Sequence, residues 1–222
     1  LASGNQIFSD VSNDHWAAKD IARMKSKGVV SGVSATEFAP KSNVTREQLI
    51  VMLVRVLGKQ SEAGGAISAN YVHRNNVSDY AVGSIAYAVR EEIIYGNLLH
   101  SDPKGAAGRH EVAVLVGRAM GLADAAAQKQ YVSLDYKDAD LIPTASRGYV
   151  AVMQEQGIMG GDTAGNFNPD ASLTREQFAS VLNRVDNKVQ ALKANAVKGK
   201  VYALSSATIT LEDATGATSA IT

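Results

Sequence analysis

Across residues 45–57 the apolar positions Leu49, Ile50, Met52, Leu53, Val56 and Leu57 recur at helical spacing, and Val51 and Val54 fill the remaining faces. A helix apolar on nearly every side is a buried helix, not one laid on a surface. Thr45 and Gln48, just ahead of the run, fit a capping box and start the helix at Thr45. The pattern returns twice. Thr45, Gly108 and Thr174 occupy equivalent places, separated by 63 and 66 residues. At those offsets Leu49 matches Val112 and Phe178, Met52 matches Leu115 and Val181, and Pro40 matches Pro103 and Pro169.

An amphipathic helix precedes each buried one. In the first repeat it is predicted over about 14–27, with Ile21 and Met24 on one face, Asp14 or Asn13 as N-cap and Gly28 as a left-handed stop. Its opening, "FSDVSNDHW" (8–16), has counterparts in "VSDY" (77–80) and "YKDAD" (136–140). The turn "KGVVSG" (27–32) matches "EEIIYG" (91–96) and "QGIMGG" (156–161). Three helix–loop–helix units follow, at 7–58, 71–122 and 135–186, joined by linkers rich in Ala, Gly and Ser. A unit of about fifty residues makes a marginal core alone. The expected fold is therefore all-α: the units pool their second helices into one pseudo-threefold, trimer-like bundle over 7–196. Residues 199–222 alternate β-branched and polar positions and predict the first strands of a following, truncated β-rich domain. A hairpin that short is marginal by itself.

Charge narrows the function. Lys+Arg and Asp+Glu both number 22, so no net charge favours nucleic acid or an anionic membrane. No apolar run approaches the roughly 18–20 residues of a membrane span, so no membrane insertion is expected. The absence of cysteine excludes disulfides and thiolate metal sites. His15, His73, His100 and His110 form no H-E-x-x-H pair, and no G-x-S-x-G elbow or phosphate loop occurs. "DTAGNFNPDASL" (162–173) fails as a calcium loop, with Phe167 at its sixth position and Leu173 at its twelfth. The pattern indicates no enzyme, metal or cofactor.

Arg46, Arg109 and Arg175 each follow the capping position. Capping explains Gln48, Glu111 and Gln177, and the dipole explains Glu47 and Glu176. Neither explains the arginine, which opposes the dipole by a few tenths to about 1 kcal/mol. Arg55, Arg118 and Arg184 also recur, but in the last turn, where a cation is favoured, and they need no further role. A guanidinium beside free N-terminal amides makes a site for a carboxylate or phosphate. A salt bridge to a neighbouring unit is the structural alternative. Trp16 opens the first helix of its unit and Tyr80 aligns with it in the second, while the third unit has Ala145 there; a lone tryptophan is more often core. Gly32, Gly96 and Gly161 permit close backbone approach or simply shape the turn. Asp10 and Asp79 are expected to brace turns. His110 replaces the acidic Glu47 and Glu176: either it is simply a solvated helix residue, or it lines the groove, leaves Arg109 less contested and lets anion binding strengthen as pH falls from about 7.5 to 5.5.

"FSDVSNDHW", "EFAPKSNVTREQ" and "NFNPDASLTREQ" together resemble S-layer homology domains over roughly residues 7–186, in three tandem units. The resemblance implies non-covalent anchoring of an exported protein at the bacterial cell wall or S-layer, outside the cell. The implied partner is a peptidoglycan-linked secondary cell-wall polysaccharide with a pyruvylated N-acetylmannosamine terminus, bound in grooves between units. The hallmark T-R-A-E arginine is retained at Arg46, Arg109 and Arg175, while the third and fourth positions depart. The implied carbohydrate-binding set is completed by Trp16 and Tyr80, flat walls for a sugar ring, and by Gly32, Gly96, Gly161, Gln48, Glu111 and Gln177; Ala145 supplies no such wall in the third unit, which predicts a poorer pocket there. Lattice self-assembly would use regions outside this sequence. The competing reading is a helical-repeat module for protein partners, with the arginines as inter-unit salt bridges.

Overall fold

The structure, a computed structural model, describes residues 6–63, 76–94 and 102–194, and strands at 200–204, 209–212 and 218–221. It divides into a unit over Leu1–Asp186 and a unit over Asn187–Thr222. The described helices are α1 (Ala18–Ser26), α2 (Arg46–Val56), α3 (Val82–Arg90), α4 (Arg109–Ala119), α5 (Ala123–Gln128), α6 (Thr144–Glu155) and α7 (Arg175–Ala194). The first unit is all-α. In the second, β1 (Lys200–Leu204), β2 (Ile209–Glu212) and β3 (Thr218–Ile221) form an antiparallel sheet in that order, with an irregularity between Val201 and Ala203.

The buried second helices arise as the apolar pattern requires. In α2, Leu49 through Val54 and Val56 are buried; in α4, Val112 through Val116 are buried. Phe38, Leu49, Leu53, Phe178 and Leu182 are among the largest fully enclosed side chains. Thr45 caps α2 in a full capping box. At Gly108 only half of the box can form: the Glu111 carboxylate accepts the Gly108 N–H at 2.8 Å.

Helix α1 departs from expectation. It begins at Ala18, and its N-cap is Ala17 with no side-chain cap, in place of Asn13 or Asp14. Residues 8–15 wind into turns instead, closed by Val11 N–H to Phe8 O and His15 N–H to Ser12 O. His15 Nδ1 then accepts the Ala17 N–H at 3.2 Å, a capping role for a side chain that sequence preference does not assign to caps. Gly28 does stop the helix, at φ 69°.

Helix pairing crosses the repeat boundaries. α2 packs against α3 and α4, and α4 packs against α6. α7 is tied back to α1: Asp186 accepts from Arg23 at 2.6 Å and from Lys27 at 2.7 Å, and Asn183 donates to Asp20 at 2.8 Å. Each second helix thus meets the first helix of the next repeat, and the last returns to the first. Gly148 in α6 lets the preceding linker close in, because a Cβ there would overlap the Ala126 carbonyl. Isolated β-bridges join the entry segments in the same order: Thr45 with Ala106, Gly108 with Ser172, and Asn43 with Thr174.

Candidate functional site

The first two amides of each buried helix are already taken. Arg46 N–H donates to Gly105 O and Glu47 N–H to Pro103 O; Arg109 to Ala171 O and His110 to Pro169 O; Arg175 to Ser42 O and Glu176 to Pro40 O, all within 2.8–3.1 Å. In each case the acceptor lies in the loop of another repeat. The expectation of free N-terminal amides facing an anion is therefore overturned. Loop carbonyls fill those helix ends, and they also offset the cost of a cation in the first turn.

The three guanidinium groups differ. Arg109 donates from Nε to Phe167 O and from Nη2 to Gly160 O, both at 2.6 Å, and lies 5.1 Å over the Phe167 ring. Arg175 repeats this on the first repeat's loop, to Phe38 O at 2.7 Å and Ser31 O at 2.6 Å, 4.5 Å over the Phe38 ring. Burial pushes the pKa of both down; Tyr136, Asp162 and Asp138 oppose this at Arg109, and Asp10 at Arg175. Both still remain cations at neutral pH. Arg46 instead forms a forked ion pair with Glu111, at 2.8 and 3.0 Å from Nη2 and 3.1 Å from Nε, and Nη1 donates to Asp102 O.

The third motif position has a role the dipole argument missed. Glu47 accepts from Ser78 N–H, Ser78 Oγ and the Tyr80 hydroxyl, the last two at 2.8 Å. Glu176 accepts from Lys41 Nζ at 2.8 Å and meets His15 Nε2 at 3.1 Å; with Nδ1 already an acceptor, Nε2 carries the proton. His110 Nδ1 lies 3.1 Å from Ser146 Oγ. These residues latch onto the opening of the next repeat's first helix. Glu47 and Glu176 form no ion pair with the arginines, so the idea that His110 relieves Arg109 of a competitor loses its premise.

One groove, of about 700 Å³, gathers several of the expected residues: Arg109, Gly161, Gln177 and Trp16, joined by Gly160 and Arg184. Trp16 is 58% exposed and stacks on His15 with centroids 6.0 Å apart. Arg184 was set aside as a last-turn cation; its Nη1 donates to Ile158 O at 3.0 Å while the side chain lines the groove. Its recurrence with Arg55 and Arg118 was the signal, absorbed by the dipole. The groove draws Arg109 from the middle repeat, the glycine turn and Gln177 from the last, and Trp16 from the first. The poorer pocket expected at the third repeat is thus corrected, because Trp16 serves that turn. Ala145 adjoins Ser146, which faces α4 through His110.

Tyr80 is 56% exposed, beside α2. Burial of the ring edge and the bond to Glu47 push its hydroxyl pKa up, opposed by nearby Arg55. Tyr80 thus stands to α2 and Arg55 as Trp16 stands to α7 and Arg184. Gln48 and Gln177 accept the N–H of Thr45 and Thr174 through their side-chain oxygens, at 3.2 and 3.1 Å. Gly32 and Gly161 are needed for space: a Cβ would sit 2.8 Å from Phe8 Cε1 or Tyr136 Cε1 respectively. Gly96 lies outside the described residues. Asp10 braces its loop as expected, accepting Phe38 N–H and Ala39 N–H at 2.8 and 2.6 Å. Asp138 does the same for Phe167 and Asn168. Asp79 stands at the start of a short 3₁₀ turn, Asp79–Ala81. Among the described residues no cluster of His, Cys, Asp or Glu could hold a metal ion, and no helix is long and apolar enough to cross a membrane.

The S-layer homology domain model matches residues 7–50 and 135–179. An endoglucanase of Bacillus sp. (strain KSM-635) is 30% identical over 183 residues, 82% of this chain and 19% of the relative. The surface-layer 125 kDa protein of Lysinibacillus sphaericus is 30% identical over 128 residues, 56% of this chain and 11% of the relative. The S-layer protein of Bacillus thuringiensis subsp. finitimus is 23% identical over 188 residues, 85% of this chain and 22% of the relative. The chain spans at most 22% of the length of these relatives.

Proposed function

Because the chain belongs to the S-layer homology family, we propose that it holds a secreted protein at the bacterial cell surface by binding a cell-wall polysaccharide non-covalently. The observation that carries this reading is the groove itself. Its lining brings together two arginines, Arg109 and Arg184, the Gln177 side chain and the exposed Trp16. A sugar ring needs a flat apolar wall, and an acidic sugar needs a preorganised cation. A pyruvate ketal on N-acetylmannosamine supplies a fixed carboxylate beside such a ring. Arg175, Tyr80 and Arg55 correspond by repeat to Arg109, Trp16 and Arg184, and from that correspondence we infer a second station of the same kind.

The three bridges between entry segments support a trimer-like assembly of units at 7–58, 71–122 and 135–186. No catalysis is assigned to the chain; the endoglucanase relative is matched over a fifth of its length. A second reading has specific support: all three motif arginines contact another repeat, as a protein-binding repeat module with structural arginines would have them. Cell-wall pull-down separates the two. Binding to purified walls is expected to disappear once the polysaccharide is extracted. Calorimetry should then show a pyruvylated N-acetylmannosamine glycoside binding at least tenfold more tightly than its unpyruvylated form. Retention on extracted walls, or indifference to the pyruvate, would reject the carbohydrate reading.

A further inference from the structure

The two groups of arginines differ in what neutralises them. Glu111 occupies both Nε and Nη2 of Arg46, and Asp102 O takes Nη1, so every arm of this guanidinium is held and its charge is neutralised by the protein's own carboxylate. Among the described residues, Nη1 of Arg109 and of Arg175 has no hydrogen-bond partner, and their other donors go to neutral carbonyls. The carboxylates whose charge acts on these two, Asp162 and Asp138 at Arg109 and Asp10 at Arg175, are engaged by loop amides and form no ion pair with them.

The cause is the fourth residue of the motif. Glu111 caps α4 through Gly108 N–H and reaches Arg46 in the adjacent repeat with the same carboxylate. Gln48 and Gln177 cap α2 and α7 through an amide oxygen, which carries no charge with which to neutralise a neighbouring arginine. A second, independent feature falls on the same station. α4 faces the opening of α6, where Ala145 stands in the position of Trp16 and Tyr80, so the aromatic wall is missing.

We propose that the fourth motif residue sets which arginines are open to an anionic ligand: Glu111 silences Arg46, while Gln177 and Gln48 leave Arg109 and Arg175 available. This rests on the carbohydrate reading above. An anion approaching Arg46 must displace a forked, largely buried carboxylate and leave it unpaired. At Arg109 and Arg175 it meets a held cation with an unused donor.

Calorimetry with a pyruvylated N-acetylmannosamine methyl glycoside tests this through stoichiometry. The parent chain is expected to bind two equivalents. Arg46→Met combined with Glu111→Gln, which removes both charges and leaves neither stranded, should keep two equivalents with Kd within about twofold. Arg109→Ala and Arg175→Ala should each remove one. In a chain carrying both of those changes, binding should be lost, and adding Glu111→Gln should restore a weak site at Arg46. Three equivalents in the parent, or loss of a site in the Arg46→Met/Glu111→Gln chain, overturns the inference and leaves the carbohydrate reading standing. No binding by the folded parent overturns both. Failure of Glu111→Gln to restore any binding at Arg46 overturns the charge explanation.

Discussion

Asp10 shows how a single exposed carboxylate can hold the architecture of a site. Ala39 sits at φ 56° and Asn168 at φ 57°, a left-handed conformation unfavourable for alanine, and each precedes a proline in the loop that leads to the next helix. The two oxygens of Asp10 accept the successive N–H groups of Phe38 and Ala39, the second in the same peptide unit as the Phe38 carbonyl, and this fixes the carbonyl that Arg175 needs. Burial pushes the Asp10 pKa up, but the amide bonds from Phe38 and Ala39, with Arg175 nearby, outweigh it and hold the carboxyl below its ordinary value. A depressed carboxyl stabilises the fold fully above its unfolded pKa of about 3.9 and loses that contribution as pH falls through the folded value. Solvent screens an exposed carboxylate, so Asp10→Asn should cost about 0.5–1.5 kcal/mol near neutral pH, with the difference from the parent shrinking below about pH 4. Urea titrations at several pH values measure this. A difference that persisted unchanged at pH 3 would contradict the ionic brace. The recurrence of Asp in the opening motif made the bracing role legible. The strained Ala39 was not, because nothing in "FAP" announces a positive φ at alanine.

At the scale of elements, residue pattern and packing partner are different kinds of information. Apolar spacing marks α2, α4 and α7 as buried, and capping residues locate their starts, because both depend on a few adjacent positions. Which helix covers which face depends on the linkers, and these carry no periodicity. The exchange of first helices between repeats was therefore not readable, nor was the grouping of Trp16 with Arg109 and Gln177. The same gap hid the work of Glu47, Glu176 and His110, whose partners lie in other repeats. Glycines inside α3 and α6 were the available clue. Gly83 faces Ala63 and Gly148 faces Ala126 across gaps too small for a Cβ. The contact at Gly148 involves backbone, which cannot rotate aside. Gly148→Ala should destabilise by about 1–3 kcal/mol despite alanine's better helix propensity of about 1 kcal/mol. Thermal unfolding of the variant decides it: an unchanged or raised midpoint would mean that α5 and its linker yield freely.

At the scale of the molecule, the 1–186 unit is closed by contacts between its first and last helices, and Asp186 is their most buried ionic link. Its side chain is 3% exposed and accepts from Arg23 and Lys27, which are 40% and 36% exposed. Solvent reaches the two cations, so much of their charge interaction is screened. The carboxylate is not reached, and its replacement strands no buried cation. Asp186→Asn should accordingly cost about 1–3 kcal/mol, less than the 3–5 typical of breaking a fully buried pair. Where that loss appears is the more informative quantity. Each repeat is too small for a core of its own, and the bridges at Thr45, Gly108 and Asn43 join the three entry segments. Weakening the α1–α7 link should then lower the stability of α4, far along the chain, together with that of α1. Native-state amide exchange resolves this residue by residue. The slowest amides of α2 and α4 in Asp186→Asn should lose protection by the same free energy as those of α7. Loss confined to α1 and the end of α7 would instead describe a linear stack whose terminal repeats open independently. In that case the contacts between first and last helices would be a local seam and not the closure of a cooperative ring.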